Sequence, residues 1–408
     1  MKKVELLAPA GDLEKLKIAV MYGADAVYFG GEHFSLRAGA GNFTLDEMKE
    51  GIAFCHERGV KCHMALNIFA HNEDIGPFKE YLRNVKDLGI DAFIAADPGV
   101  IDMIWEVMPD AEIHLSTQAN MTNYRTAKFW HDRGIRRLVL ARELTLEEIR
   151  EIRENIPPDM ELEAFVHGAM CISYSGRCLL SNFMIERDAN RGMCAHPCRW
   201  KYALVEQQRP GEYYPVEEDD RGTYIMNSKD LCLIEHIPEL IDAGISSFKI
   251  EGRMKSVFYV ATVVSAYRKA IDSYFKDPQS YSFRQQWMED LCKASHREFT
   301  TGFYFHKPDN LDQNYRTSDY TRDYSFVGIV KSYDPDTGYA KVEQRNKMVL
   351  GDRVEVFGPM TDFFEQEISE MYDEEGEAIS SAPHPQQIIK IKMAKPVEPF
   401  FMLRKRKE

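Results

Sequence analysis

The sequence predicts an α/β protein: a closed (β/α)8 TIM-like barrel with a cysteine-rich insert, followed by a small C-terminal β-barrel. Three observations lead there. A unit of amphipathic helix, glycine and short apolar strand recurs through the first 250 residues, at Gly23, Gly59, Gly89, Gly134 and Gly244. With three further apolar runs this makes eight strands, beginning near residues 4, 24, 60, 90, 112, 135, 162 and 245. From Ser325 the pattern changes to short alternating stretches of the kind that form antiparallel strands.

Each recurring glycine stands where a helix C-cap takes a left-handed residue, and the five or six residues after it suit a buried strand. Helices are predicted at Leu13–Tyr22, Leu45–Arg58, Phe78–Leu88, Val100–Val107, Thr126–Arg133 and Leu146–Asn155. Alternating strands and helices imply parallel pairing, because each crossover returns the chain to the same end. Eight such units close a barrel; a doubly wound open sheet is the competing arrangement. Strand eight leads into a long helix, Ser256–Phe275, which ends the barrel domain at residues 1–275, with its insert at about 168–225. Residues 276–320 read as a helical linker, polar enough that residues 1 to about 310 are expected to fold alone. Strands at Phe326–Ser332, Gly338–Gln344, Asp352–Val356, Glu365–Tyr372 and Gln387–Ile391 make the domain 321–408.

Composition narrows the function. Hydrophobic residues are 44% and charged residues 28%, as in ordinary globular proteins. The longest apolar run, Val257 to Tyr267, is about half of what a bilayer needs, so no membrane role is expected. Glu5 and Pro9 interrupt any signal-peptide core, which predicts a cytoplasmic location. A net charge of −14 argues against nonspecific nucleic-acid coating but leaves room for a local basic patch. The basic end Arg404-Lys405-Arg406-Lys407 is one, of a kind that is usually solvated.

The strongest chemical signal lies between Glu161 and Trp200. Cys171, Cys178, Cys194 and Cys198, half of the chain's 8 cysteines, fall there, separated by six, fifteen and three residues. Glycines 168, 176 and 192 let the chain fold back and bring sulfurs together, as an iron–sulfur cluster or a structural zinc requires. Zinc pairs cysteines two to four residues apart, which fits only Cys194 and Cys198; the wide first gap favours a cluster. Packing cysteines and redox pairs are the alternatives, while a disulfide framework suits small secreted domains rather than this chain. Cys232 is a possible alternate ligand, after a loop able to return to the same mouth. Cys55, Cys62 and Cys292 read as packing residues.

In a barrel the chemistry sits at the C-terminal strand ends. Candidates there are Glu32, His33 and Arg37; His114, Ser116, Gln118 and Asn120; Arg142 and Glu143; and Glu163 and His167. Lys249, Glu251 and Arg253 alternate in FKIEGR and therefore share one side of strand eight. Facing the lumen, they must pair with one another or bind something charged. Arg37 and Arg253 suit a carboxylate or phosphate, because guanidinium offers two parallel donors. Common hydrolase signatures are absent: His56-Glu57 has no histidine at HExxH spacing, and Ser175-Gly176 lacks the GxSxG elbow.

Several long stretches carry a resemblance: APAGDLEKLKIAVMYGADAVYFGGEHFSLRAG, FVHGAMCISYSGRCLLSNF, RGMCAHPCRW and MNSKDLCLIEHIPELIDAGISSFKIEGRMKS. Through them the chain resembles the collagenase-like peptidase family, U32, over residues 1 to about 270, and the tail is similar to that family's C-terminal β-barrel. The likeness is greatest to the branch of tRNA hydroxylation proteins. It implies a prephenate-dependent hydroxylase that installs 5-hydroxyuridine at the wobble position of tRNA. It further implies a 4Fe-4S cluster on Cys171, Cys178 and Cys194, the fourth ligand being Cys198 or Cys232. Arg37, Gln118 and Arg253 would then bind substrate, with Glu163, His167, Lys249 and Glu251 as catalytic candidates. tRNA is the expected partner, with a paralogous family member as a conceivable second subunit. The family name carries the alternative, a peptidase or hydrolase.

Overall fold

A computed structural model of the chain describes residues 3–35, 42–171, 173–175, 177–200, 203–205, 213–215, 229–306 and 320–407. Its centre is a closed barrel of eight parallel strands. These are β1 (Glu5–Pro9), β2 (Ala26–Phe29), β3 (Lys61–Ala65), β4 (Ala92–Ala95), β5 (Ile113–Leu115), β6 (Arg137–Val139), β7 (Glu161–Ala169) and β11 (Ser247–Ile250). Neighbours pair in chain order, β11 pairs with β1, and a β11–β7 pairing closes the ring, which rules out the open sheet. The helices are α1 (Leu13–Met21), α2 (Leu45–His56), α3 (Ile75–Val85), α4 (Pro98–Val107), α5 (Tyr124–His131), α6 (Leu146–Glu154), α8 (Ile237–Asp242) and α9 (Val257–Lys276). A six-residue α7 (Leu180–Ile185) belongs to the insert.

Local sequence explains the element ends. Thr44 and Thr145 accept from the backbone of Glu47 and Glu148, whose carboxylates return the bond, so both α2 and α6 begin with complete capping boxes. Asp97 caps α4 directly before Pro98, whose fixed φ suits a first helical turn. The five glycines predicted to end helices have φ between 71° and 105°, the left-handed region they were expected to occupy.

β7 outruns the barrel. Its register against β11 is Lys249 opposite Phe165 but Ile250 opposite His167, so Val166 is bulged out. Gly168, at φ 111°, lies so close to the Glu251 carbonyl that a Cβ would come within 2.6 Å of it. Beyond the bulge, β10 (Asp230–Cys232) pairs antiparallel with His167–Ala169, and β12 (Phe299–Thr300) pairs with β10. This extension carries the chain out of the barrel mouth directly into Cys171. Within the insert, β8 (Ala203–Val205) and β9 (Tyr213–Pro215) form an antiparallel hairpin.

The linker contains α10 (Gln285–Lys293) and β12, with residues 307–319 outside the described ones. The C-terminal domain is a seven-stranded antiparallel sheet. Among the described residues no pairing joins its outer strands, Phe364–Glu367 and Met371–Tyr372, so it is a half-barrel. Four of the five predicted strands are present; the one expected over Glu365–Tyr372 is two short strands, Phe364–Glu367 and Met371–Tyr372, at opposite edges of the sheet, and the basic end also departs from expectation. Met402–Arg406 is an inner strand between Tyr324–Asp334 and Arg353–Phe357, and Arg404 is buried. Its guanidinium donates to Glu355 at 2.7 Å and to Asp290 of α10 at 3.2 Å, while Lys293 of α10 reaches the same Glu355 at 2.9 Å.

The C-terminal domain has an apolar cluster of its own, around Val327, Val342, Val356 and Leu403, but the polar linker does not isolate it. The barrel's apolar cluster continues into Ile329, Phe357 and Met402 of the C-terminal domain. Phe258 of α9 stacks on Phe326 at 5.7 Å, and Tyr22 of the barrel donates its hydroxyl to the Phe400 carbonyl at 2.9 Å. The half-barrel is therefore docked against α1, α9 and α10. No helix among the described residues is long and apolar enough to cross a membrane.

Candidate functional site: a cysteine wall between two cavities

The lumen is filled in layers. Lowest lies a buried charge cluster: Glu163, fully buried, accepts from Lys249 at 2.7 Å and from Arg137 at 3.4 Å. Arg137 also reaches Glu161 at 2.6 Å and forms an ion pair with Glu5. Burial raises the proton affinity of the Glu163 carboxyl, but Lys249 and Arg137 outweigh it and hold the group ionised below its ordinary range. His63 and His114 sit beside this cluster, rings 4.6 Å apart; burial, then the neighbouring His114, holds His63 neutral. Leu7, Ala26, Tyr28 and Ile94 complete the packed interior.

Above this layer opens an inner cavity of about 140 Å³ at the strand C-termini. Lys249 forms its floor, its ammonium 4.6 Å from the Tyr28 ring and 5.5 Å from that of Phe165. Arg253 lies in the loop after β11 rather than in the strand, and it is buried. Its guanidinium donates to Ser35 at 3.0 Å and to Asn42 at 3.4 Å. Arg142 stacks over Phe165 at 4.0 Å and donates to the Ala169 carbonyl at 2.6 Å. Gln118 donates to the Asn67 carbonyl at 2.8 Å and accepts from Ser116 at 3.2 Å. Three cations face one carboxylate, Glu251, around this cavity, a balance suited to a small anion.

Of the residues singled out in the sequence, Lys249, Glu251, Arg253 and Gln118 line the inner cavity together. Arg37 lies outside the described residues; the flanking Ser35 and Asn42 are the two that bind Arg253. Glu163 lies one layer below and touches the cavity only through Lys249. His167 turns the other way. The bulge at Val166 reverses its side, so its ring packs among Tyr259, Tyr267 and Phe299 outside the lumen. Burial, then the charge of Lys255, lowers its pKa to about 3. Neither placement suits direct contact with a substrate. Arg142, noted in the sequence only as a strand-end residue, joins the site from the loop that follows β6. Its position directly before Glu143 at the end of a predicted strand was the available signal. Tyr28, inside strand two, and Asn67, just after strand three, carried none beyond those positions.

The cysteines form the cavity's outer wall. Cys171, Cys178 and Cys194 line the inner cavity and also a second, outer cavity of about 750 Å³; Cys198 lines only the outer one. All four are free thiols. The insert that carries them is clamped to the loop after β3, where Arg191 makes a paired contact with Asp74 at 2.9 and 3.0 Å. A tetrahedral zinc would draw its sulfurs to within about 3.8 Å of one another, from a Zn–S bond of about 2.3 Å. Among the described residues no three of these thiols lie that close; the one group of three ligand atoms within 4.8 Å is His56, Cys62 and Asp91, elsewhere. Four thiols around a shared wall are the donor set that a multi-iron cluster uses. Cys232, the possible alternate ligand, lines neither cavity. It is buried in β10 opposite His167, its sulfur 4.0 Å from the Tyr267 hydroxyl, and burial pushes its thiol up to about 12.

A (β/α)8 barrel with a cysteine-walled anion pocket at its mouth, capped from the side by an antiparallel half-barrel, defines the class of protein. The comparisons place it further. The profile of "Peptidase family U32" matches residues 11–314, and that of "Peptidase family U32 C-terminal domain" matches residues 322–404. The chain belongs to peptidase family U32. It is 47% identical over 406 residues to "tRNA hydroxylation protein P1" of Bacillus subtilis, covering 100% of this chain and 96% of that protein. It is 39% identical to "tRNA hydroxylation protein P" of Escherichia coli, covering 94% and 92%. It is 34% identical to a "Collagenase" of Porphyromonas gingivalis, covering 90% and 89%.

Proposed function

We propose that this chain is a tRNA hydroxylase that forms 5-hydroxyuridine at the wobble position, with prephenate as co-substrate and a 4Fe-4S cluster on Cys171, Cys178, Cys194 and Cys198. The observation that carries the reading is the cysteine wall: three thiols stand between a small cation-lined pocket and a larger cavity open to a second substrate. The names of the two most alike relatives cited above support it. Cys198 is preferred over Cys232 as fourth ligand because it shares a cavity with the other three.

In this reading a cluster supplies one-electron redox chemistry. The chain's own residues bind and orient. Arg142, Lys249 and Arg253 hold the carboxylates of a small dianion, and Gln118 offers a fixed amide beside them. Glu163 holds the Lys249 ammonium in place through their 2.7 Å contact, which makes it a positioning residue. Placing these cations on strand ends and packed rings fixes their geometry before the ligand arrives, so little ordering entropy is lost on binding.

The test is mass spectrometry of tRNA nucleosides from a strain lacking this gene, complemented with the wild type or with Cys171→Ala. Loss of 5-hydroxyuridine in the deletion strain and in the variant, together with brown, iron-containing wild-type protein prepared without oxygen, is the expected result. Normal modification in the deletion strain would return the peptidase reading, which rests on the collagenase relative, to first place. Colourless protein with stoichiometric zinc would remove the cluster.

A further inference from the structure

The outer cavity is the feature that the small-molecule chemistry leaves unused. It is several times the volume of the inner one and is the place where barrel, cysteine segment and C-terminal domain meet. Its charged lining is Lys255, Arg322 and Lys407 against Glu251 alone, in a chain whose net charge is −14. Among the described residues none of those three cations has a carboxylate partner. Lys255 instead sits 4.0 Å over the Tyr320 ring and Arg322 5.9 Å from it, with Arg297 on the same ring at 4.2 Å. Stacking on one ring keeps like charges together that would otherwise disperse into solvent. Arg322 and Lys407 are exposed and lie on neighbouring chain segments, the Lys407 amide donating to the Asp323 carbonyl at 2.8 Å.

We infer that this outer cavity is the seat of a single-stranded RNA segment, and that the C-terminal domain's Arg322 and Lys407, with Lys255 of the barrel, hold its phosphates. The inference rests on the proposed tRNA reading and adds the route of approach: the target nucleotide reaches the cysteine wall from the side opposite the anion pocket. Cations without a carboxylate partner, gathered near an aromatic ring, are what a flexible polyanion with stacking bases requires, even though Lys255 also donates to the Ser295 carbonyl at 3.4 Å. The half-barrel's role follows. It supplies half of the RNA surface, and its docking against α9 and α10 sets the distance between those cations and the cysteines.

The experiment measures binding of the full-length protein to a short anticodon stem-loop RNA across a salt series. It compares wild type, Arg322→Ala/Lys407→Ala, and a control, Arg83→Ala/Lys86→Ala, on the exposed face of α3. The site variant is expected to bind about tenfold more weakly at low salt. Its plot of log affinity against log salt should flatten by about 1.4, since each lost phosphate contact on a single strand is worth about 0.7. The control should match wild type. Wild-type binding with an unchanged Kd and slope in the site variant would overturn the inference and leave the hydroxylase reading intact. No RNA binding by wild type would overturn it too, and normal hydroxylation in the deletion strain would then remove the underlying reading as well.

Discussion

Glu163 decides whether the floor of the anion pocket is built by electrostatics. Its carboxylate is fully buried, 2.7 Å from the Lys249 ammonium, with Arg137 at 3.4 Å and the Ser247 hydroxyl at 3.5 Å. Replacing it by glutamine keeps the shape and removes the charge. Lys249 is then a buried cation that keeps the neutral amide oxygen and the faces of Tyr28 and Phe165 but no counter-charge from this position, and stranding one partner of a buried pair costs about 3–5 kcal/mol. Whole-domain stabilities are only about 5–15 kcal/mol, so the loss is a large fraction of the total. Tryptophan fluorescence reads it cleanly, because all 4 tryptophans, at positions 105, 130, 200 and 287, precede the C-terminal domain. With a urea slope of about 3 kcal/mol/M, the midpoint of Glu163→Gln should fall by about 1–2 M. Adding Lys249→Met should recover part of that loss, since the stranded charge is gone, leaving a coupling of about 1–3 kcal/mol between the two sites. A Glu163→Gln midpoint within about 0.2 M of wild type would refute the argument. So would a double variant less stable than the sum of the singles.

Removing residues 321–408 should not release a soluble barrel, because Tyr22 and Phe258 lose the surface that buries them; a monomeric fragment with the wild-type melting temperature would contradict the shared core. His167 sets an acid limit. Its folded pKa of about 3 lies below the ordinary 6.5, so the unfolded chain alone takes up its proton between those values. Stability that is fully present above about pH 6.5 is thus lost towards pH 3, at up to about 1.4 kcal/mol per pH unit from this one group. His167→Phe should flatten the stability curve by that increment between about pH 6 and 4.5, and an unchanged slope would show the imidazole to be solvated. Gly30→Ala places a Cβ 2.7 Å from the Arg253 guanidinium and 2.5 Å from the Ser35 hydroxyl. The Arg253 tip can swing away, but the Ser35 Cβ, 2.8 Å from the new methyl, moves only with its backbone, so the melting temperature should fall as well, and wobble hydroxylation should fall about tenfold or more as Arg253 leaves its seat. Full modification would remove Arg253 from the site.

The barrel was legible in the sequence because its signals are local. A helix period, a glycine that accepts positive φ and a short apolar strand each depend on a few consecutive residues, and with three further apolar runs they count out eight strands; closure over an open sheet was decided by the β11–β7 pairing. The spacing of the cysteines was legible for the same reason; Lys249, Glu251 and Arg253 do share one cavity, but β11 ends at Ile250 and the loop after it, not strand alternation, brings the last two there. What the sequence left open depends on partners far along the chain. Arg404 reads as the start of a solvated basic end, yet Asp290 and Glu355 bury it; with three neighbouring basic residues and its carboxylates distant in sequence, only the folded sheet brings them together. His167 continues the inward alternation of Glu163 and Phe165 on paper. One bulged residue, Val166, turns it outward, because a strand's side chains change face with every single-residue slip and a bulge is fixed by the register against β11, not by β7 itself. Cys232 sits near the other cysteines in sequence logic but enters the sheet on the outer edge of β7, where burial makes it a packing thiol. The placement of the cysteines as a wall between two cavities likewise belongs to tertiary structure, since one cavity is the inside of a closed ring and the other exists only where the half-barrel docks.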